Sequence, residues 1–222
     1  MNIAFLLLAL VVAGLEWLAE EKRQLWLIYI TKPAVMVLVL LWLWSVNGFQ
    51  GDILWFTMGI AFSLAGDILL MLPQDRFIPG LVAFLLAHLC YLTGFLQVAP
   101  PLNLASLILT LMVILLALRL YRRITNGMAS DPKKSRLKRP ILVYSIVISL
   151  MLLSAFLTLA RPEWQAAPAL LVSGGAVLFY LSDTLNAWLR FVAAFPHGRL
   201  TIMSTYHLGQ FLIVFGAVLH YQ

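Results

Sequence analysis

Ala61-Phe62-Ser63-Leu64-Ala65-Gly66-Asp67-Ile68-Leu69-Leu70-Met71 sets one ionisable side chain in an otherwise apolar or small-residue run. A second run, Leu178-Phe179-Tyr180-Leu181-Ser182-Asp183-Thr184-Leu185, repeats the arrangement around Asp183. Each run extends far enough in both directions to make a membrane helix of roughly 20 residues. An ionised carboxylate in the middle of such a helix costs roughly 2.5–3.5 kcal/mol on insertion scales. A chain that keeps two of them is expected to use them.

The rest of the chain fits that reading. Of its 222 residues, 63% are hydrophobic and 11% charged, and the mean hydropathy is +0.96. A soluble domain carries about 25% charged residues. Alternating segments of about ten residues, the mark of an outer-membrane barrel, are absent. The expectation is an all-α, polytopic transmembrane helical bundle of about eight helices, at about 2–19, 25–46, 52–72, 78–98, 102–121, 140–160, 167–189 and 200–221. They form one transmembrane domain over 1–222. Breaks fall at Glu20-Glu21-Lys22-Arg23, Asn47-Gly48, Pro73-Gln74-Asp75-Arg76, Pro100-Pro101, a basic loop at about 122–139, Arg161-Pro162-Glu163 and Pro196-His197-Gly198-Arg199. The N-terminus has no Lys or Arg before its apolar segment and no small-residue cleavage site, so it reads as a retained first helix. The lone Cys90 lies in an apolar run and cannot form an internal disulfide.

The net charge of +6 suggests a nucleic-acid partner until its distribution is considered. Of the 15 Lys and Arg residues, all but Lys32 and Arg161 fall in or beside the odd-numbered loops. The positive-inside rule then puts those loops in the cytoplasm and both termini outside. The basic loop 122–139 is expected to contact anionic lipid head groups. No aromatic residue interleaves 124–139, as a single-strand binder would prefer, so no nucleic-acid partner is expected. A bacterial inner membrane suits this orientation.

This topology predicts a layer. Asp67 lies about 15 residues into the third span and Asp183 about 16 into the seventh, both descending, so both sit roughly 22–24 Å from the outer face. Glu16 of the first span reaches the same side. Lys32, His88 and His207, on rising spans, lie roughly 10–15 Å from the cytoplasmic face. Ionisable residues from six spans thus share the inner leaflet. His88 follows Asp67 by 21 residues and His207 follows Asp183 by 24, which hints at a parallel repeat of four helices.

Blander readings stand beside the functional one. The aspartates would be structural if paired with Lys32 and helix amides. Lys32 would snorkel to the interface, although Pro33 after it frees a carbonyl, as suits a pocket wall. His88 would be an interhelical hydrogen-bonder. Glu16 is expected at the interface with Glu20 and Glu21, and His220 at the external interface. Trp26, Tyr29, Trp55 and Trp164 read as an aromatic belt. Gly174-Gly175 permits close helix packing. HExxH, GxSxG and a Cys–His nucleophile context are all missing, so a serine-esterase mechanism has little support.

Five motifs in order resemble the YhhN-like family of membrane lysoplasmalogenases: Thr31-Lys32-Pro33; Phe62-Ser63-Leu64-Ala65-Gly66-Asp67-Ile68-Leu69-Leu70; Gly80-Leu81-Val82-Ala83-Phe84-Leu85-Leu86-Ala87-His88-Leu89-Cys90-Tyr91; Phe179-Tyr180-Leu181-Ser182-Asp183-Thr184; and Tyr206-His207-Leu208-Gly209-Gln210. The resemblance covers essentially the whole chain. It implies cleavage of the vinyl ether of a lysoplasmalogen, a lysophospholipid, to a fatty aldehyde and a glycerophospho-base. No metal or organic cofactor is implied. Protonation of the vinyl ether β carbon gives an oxocarbenium ion, which water traps. Two carboxylates of unequal acidity divide such work in glycosidases. Asp67 or Asp183 is the expected acid, and the other stays ionised beside Lys32 and stabilises the cation. His88 orients or deprotonates water, and Lys32 has phosphate binding as an alternative role. Tyr91, Ser182, Tyr206 and Gln210 are the substrate-binding candidates. His207 joins them without a family role, because the family usually shows an aromatic residue there, commonly Tyr.

Two rival classes use the same residues. A proton-coupled or lipid transporter would also carry embedded carboxylates and proline-broken helices, but the polar groups here occupy one leaflet only. A lipid-binding scaffold would tolerate carboxylate-to-amide changes.

Overall fold

Eight long helices form where eight apolar runs were expected. The computed structural model describes residues 3–74, 76–100, 102–128 and 131–222. In chain order the helices are α1 (Ala4–Glu21), α2 (Leu25–Asn47), α3 (Ile53–Met71), α4 (Phe77–Phe95), α5 (Leu104–Gly127), the single turn α6 (Pro132–Ser135), α7 (Lys138–Leu157), α8 (Ala166–Phe191) and α9 (Gly198–Tyr221). A 3₁₀ turn, Thr158–Ala160, extends α7. Asp75 and Pro101, in two of the expected breaks, lie outside the described residues, as do 129 and 130 of the basic loop. Among the described residues, seven helices are long and apolar enough to cross a membrane. The eighth long helix, α1, carries Glu16, Glu20 and Glu21 in its last six residues. The chain is a helical integral membrane protein.

Local chemistry explains the boundaries. Gly48 adopts φ +65° and ends α2 in the left-handed conformation that glycine takes without strain. Asn103 and Ser106 form a reciprocal capping box at the start of α5. Asp131 caps α6, whose first residue is Pro132. The basic segment corrects the expectation of a loop over 122–139: α5 continues to Gly127, α6 adds a turn, and α7 begins at Lys138. Arg and Lys are good helix formers, and their stems let a helix run on past the apolar layer.

Two helix pairs dominate the packing, α3 with α4 and α8 with α9. The second pair meets backbone to backbone. A Cβ placed on Gly175 would lie 2.7 Å from the Gly209 carbonyl oxygen, and one on Gly209 would lie 2.8 Å from the Phe179 nitrogen. Small residues at a membrane helix crossing allow this approach. On the other side, α4 packs on α7, and α5 touches mainly α7 and α8. Leu107, Ile108, Leu111 and Leu115 of α5 are exposed, as befits a helix facing acyl chains.

Two expected interfacial groups are inside. Glu16 is completely buried and Glu20 nearly so. They sit one turn apart on the face of α1 that meets α2 and α9, while Leu7, Leu8, Val11, Leu15 and Leu18 take the outer face. Trp164 also leaves the expected belt: it is buried and stacked on His220 with ring centroids 3.7 Å apart. Arg161 beside it donates to the Phe95 carbonyl, a cation at the C-terminus of α4 where the helix dipole favours one. Trp26 and Tyr29 are exposed as expected.

Candidate active site

Six helices, α2, α3, α4, α7, α8 and α9, converge on the two aspartates. Lys32 Nζ lies 3.3 Å from Asp67 Oδ1, with both side chains buried. Tyr206 OH donates to Asp67 Oδ2 at 2.7 Å. Across the cavity, His88 Nε2 is 3.0 Å from Asp183 Oδ2 and 3.0 Å from Tyr144 OH, and Tyr144 OH donates to the same carboxylate oxygen. Desolvating such groups costs several kcal/mol per ion, and only close partners with further hydrogen bonds offset it. Each aspartate has them.

Asp67 and Asp183 line one cavity of about 250 Å³, together with Lys32, Ser182, Tyr206, Arg190 and Arg199. Its basic side chains outnumber its carboxylates. Arg190 lies over the Phe77 ring at 4.0 Å, a cation–π contact. Arg199 pairs with Glu20 at 3.0 Å and also lines an outer vestibule of about 770 Å³ with Glu20, Glu21, Arg23 and His197. Asp183 borders a second space of about 70 Å³ between α4, α5, α7 and α8, whose walls are largely apolar. The carboxyl of Asp183 therefore stands where a charged compartment meets an apolar one. Phe84 and Phe179 pack edge-on to Tyr206, with centroids 5.8 and 5.4 Å away, and hold its ring. Such pairs contribute about 0.5–1.5 kcal/mol each beyond their burial.

Not every expected residue reaches the cavity. Ser182 lines it, although its hydroxyl donates to the Ile202 carbonyl at 3.0 Å. His88, Tyr91 and Gln210 do not line it; His88 is completely buried and meets the cavity only through Asp183. Tyr91 OH donates to Gln210 Oε1 at 2.5 Å, and Gln210 Nε2 donates to Ser63 Oγ at 2.8 Å. Gln210 and Ser63 each lie one helical turn, about 5.4 Å, from a cavity group on their own helix, Tyr206 and Asp67, and with Tyr91 they form a second polar layer behind the first. His207 is also off the cavity. Its Nδ1 accepts from Trp17 Nε1 at 3.1 Å, and Glu16 Oε2 is 3.9 Å away.

Tyr144, Arg190, Arg199 and Asn186, the last of which also lines the cavity, were not among the sequence candidates. Tyr144 carried a signal: it lies six residues into α7, much as Lys32 lies seven into α2, so the layer argument extended to neutral polar groups includes it. Among the described residues, no three His, Cys, Asp or Glu side chains converge as metal ligands do.

Residues 27–217 match the YhhN family. The chain belongs to that family. A human relative named lysoplasmalogenase TMEM86B is 29% identical over 206 residues, 91% of this chain and 80% of its own. The pig protein of that name is 30% identical over 199 residues, 90% of this chain and 78% of its own. An Escherichia coli relative, named only as the uncharacterized membrane protein YhhN, is 28% identical over 202 residues, 88% and 89% of the two chains. No solved structure matches this YhhN-family chain significantly.

Proposed function

We propose that this YhhN-family protein hydrolyses the vinyl ether bond of a lysoplasmalogen, with a choline or ethanolamine head group, to a fatty aldehyde and a glycerophospho-base. The activity named for its mammalian relatives supports this reading. The observation that carries it is the position of Asp183, between a cavity with basic walls and one with apolar walls. A lysoplasmalogen places its vinyl ether between a phosphate and a hydrocarbon chain in the same order.

The geometry supports a division of roles. Asp67 faces Lys32 Nζ and serves as the carboxylate that stabilises the oxocarbenium ion. Asp183 has its Oδ2 engaged by Tyr144 and His88, so Oδ1 is the oxygen that delivers a proton to the β carbon. The two donors stabilise the carboxylate left behind. Water in the cavity adds to the cation and returns its proton to the aspartates, while His88 holds Asp183 from behind. The hemiacetal then collapses, its hydroxyl proton passing to the glycerol oxygen as the C–O bond breaks. Protons balance over the cycle and water is the only co-substrate. Lys32, Arg190 and Arg199 are placed to hold the phosphate.

The same reading keeps the odd loops cytoplasmic, both termini outside and the basic segment from Arg122 to Arg139 on anionic head groups, in a bacterial inner membrane. Aldehyde release tests the activity. Purified protein is given a choline or ethanolamine lysoplasmalogen with an NADH-linked alcohol dehydrogenase as reporter. Turnover by the wild type and its loss in Asp183→Asn are expected. Silence with both lipids from folded protein overturns the proposal.

A further inference from the structure

α5 is the least embedded of the membrane helices, with a small buried fraction, and it leaves a furrow against α7. The furrow has a volume of about 260 Å³ and almost wholly apolar walls. Two of its hydroxyls are turned to their own helices: Thr110 Oγ1 donates to the Ser106 carbonyl at 2.7 Å, and Ser149 Oγ to the Ser145 carbonyl at 2.6 Å. On the outer side its rim includes the exposed Ile114, Leu118, Ile146 and Leu150, so it opens toward lipid. On the inner side it shares Ala117, Tyr121 and Ser145 with the apolar space beside Asp183.

We propose that this α5–α7 furrow binds the hydrocarbon chain of the single-chain lipid substrate, which enters laterally from the bilayer past Ala117. The inference rests on the proposed function for the identity of the head group and reactive bond, and deepens it by placing the chain. Adjacency is the first argument: the furrow shares Ala117, Tyr121 and Ser145 with the apolar space beside Asp183, and that space shares Asp183 with the basic cavity. Length is the second. Thr110 to Tyr121 spans about 16 Å at the helical rise, and one leaflet of a ~30 Å hydrocarbon core is about 15 Å deep. The furrow is therefore long enough to take a hydrocarbon chain of about one leaflet's length. The basic cavity receives the head group without moving the chain into water.

The test compares Ala117→Phe, which fills the throat, with Leu115→Phe, which enlarges an exposed side chain of α5 away from the furrow. Two readouts separate this inference from the proposed function. In the first, a non-hydrolysable long-chain alkyl lysophosphocholine is titrated into detergent-purified protein by calorimetry. Ala117→Phe is expected to weaken binding at least about 10-fold, the loss when two methylenes leave an apolar site, and Leu115→Phe to leave it unchanged. In the second, KM is measured for long-chain and short-chain 1-alkenyl glycerophosphocholines. Ala117→Phe is expected to raise KM for the long chain alone, and retained short-chain turnover shows that it folds. Equal binding by wild type and Ala117→Phe overturns the furrow as a chain site and leaves it as a seat for bulk lipid. Wild-type binding without hydrolysis of either alkenyl lipid overturns the proposed function and leaves the furrow site standing.

Discussion

His88 and Asp183 are separated by 95 residues in the chain and by 3.0 Å in the fold. The counterpart contact, Tyr206 with Asp67, spans 139 residues at 2.7 Å. If the chain is divided into two four-helix units, each unit's aspartate is bonded by the last helix of the other. A site made this way exists only when both halves are docked, so disturbing either interface reaches both carboxylates.

Asp183→Asn and Asp67→Asn should each lower kcat at least ~10²-fold, the low end for acid–base catalysis, with normal insertion and unchanged elution in detergent. Near-normal aldehyde release from either variant would remove that residue from the chemistry.

Tyr144→Phe deletes one hydrogen bond to the half-buried carboxylate of Asp183 and little else. A hydrogen bond to a charged group contributes about 1.5–3 kcal/mol, which converts to a loss of roughly 10–100-fold in kcat. KM should change little, because Tyr144 lies on the far side of Asp183 from the basic cavity. A large KM effect with intact kcat would make Tyr144 a substrate contact instead.

Lys32→Met strands Asp67 as a buried charge without its ion partner and should destabilise the protein by about 3–5 kcal/mol. Lys32→Met combined with Asp67→Asn should recover much of that stability, without activity. Thermal unfolding of the four proteins in one detergent gives the coupling. Additive effects would mean that the 3.3 Å contact does not matter energetically.

Gly209→Val places side-chain atoms into the α8 backbone and should force the α8–α9 crossing open, at a cost of at least about 1–3 kcal/mol. Gly174→Ala is the control, since a Cβ there meets nothing within 4 Å. Comparable melting temperatures for the two variants would show that the crossing relaxes at little cost.

The legible and illegible parts divide along one physical line. Asp67, Asp183, Lys32 and His88 stood out in the sequence because each is an ionisable group inside an apolar run, and the fold brings them into two pairs. Glu16 was expected at the interface but is buried, since position along a helix does not report which face packs against α9. Tyr91 and Gln210 were grouped with the cavity because a motif is contiguous in sequence, whereas the cavity ends at Phe84 on α4 and at Tyr206 on α9. Trp164 was read as a belt residue because it lies near a helix end. The fold turns it inward onto His220.

By itself the sequence determined that this chain is a membrane bundle, how many long helices its described residues form, and which polar groups lie within the apolar runs. Those properties follow from local hydrophobicity and from a rise per residue that every helix shares. Only the tertiary structure decided the partners: Asp183 takes His88 and Tyr144, Asp67 takes Lys32 and Tyr206, and one cavity faces both. Partner choice depends on the rotation and docking of each helix, set by side-chain packing such as the Gly175–Gly209 approach between residues distant in the chain.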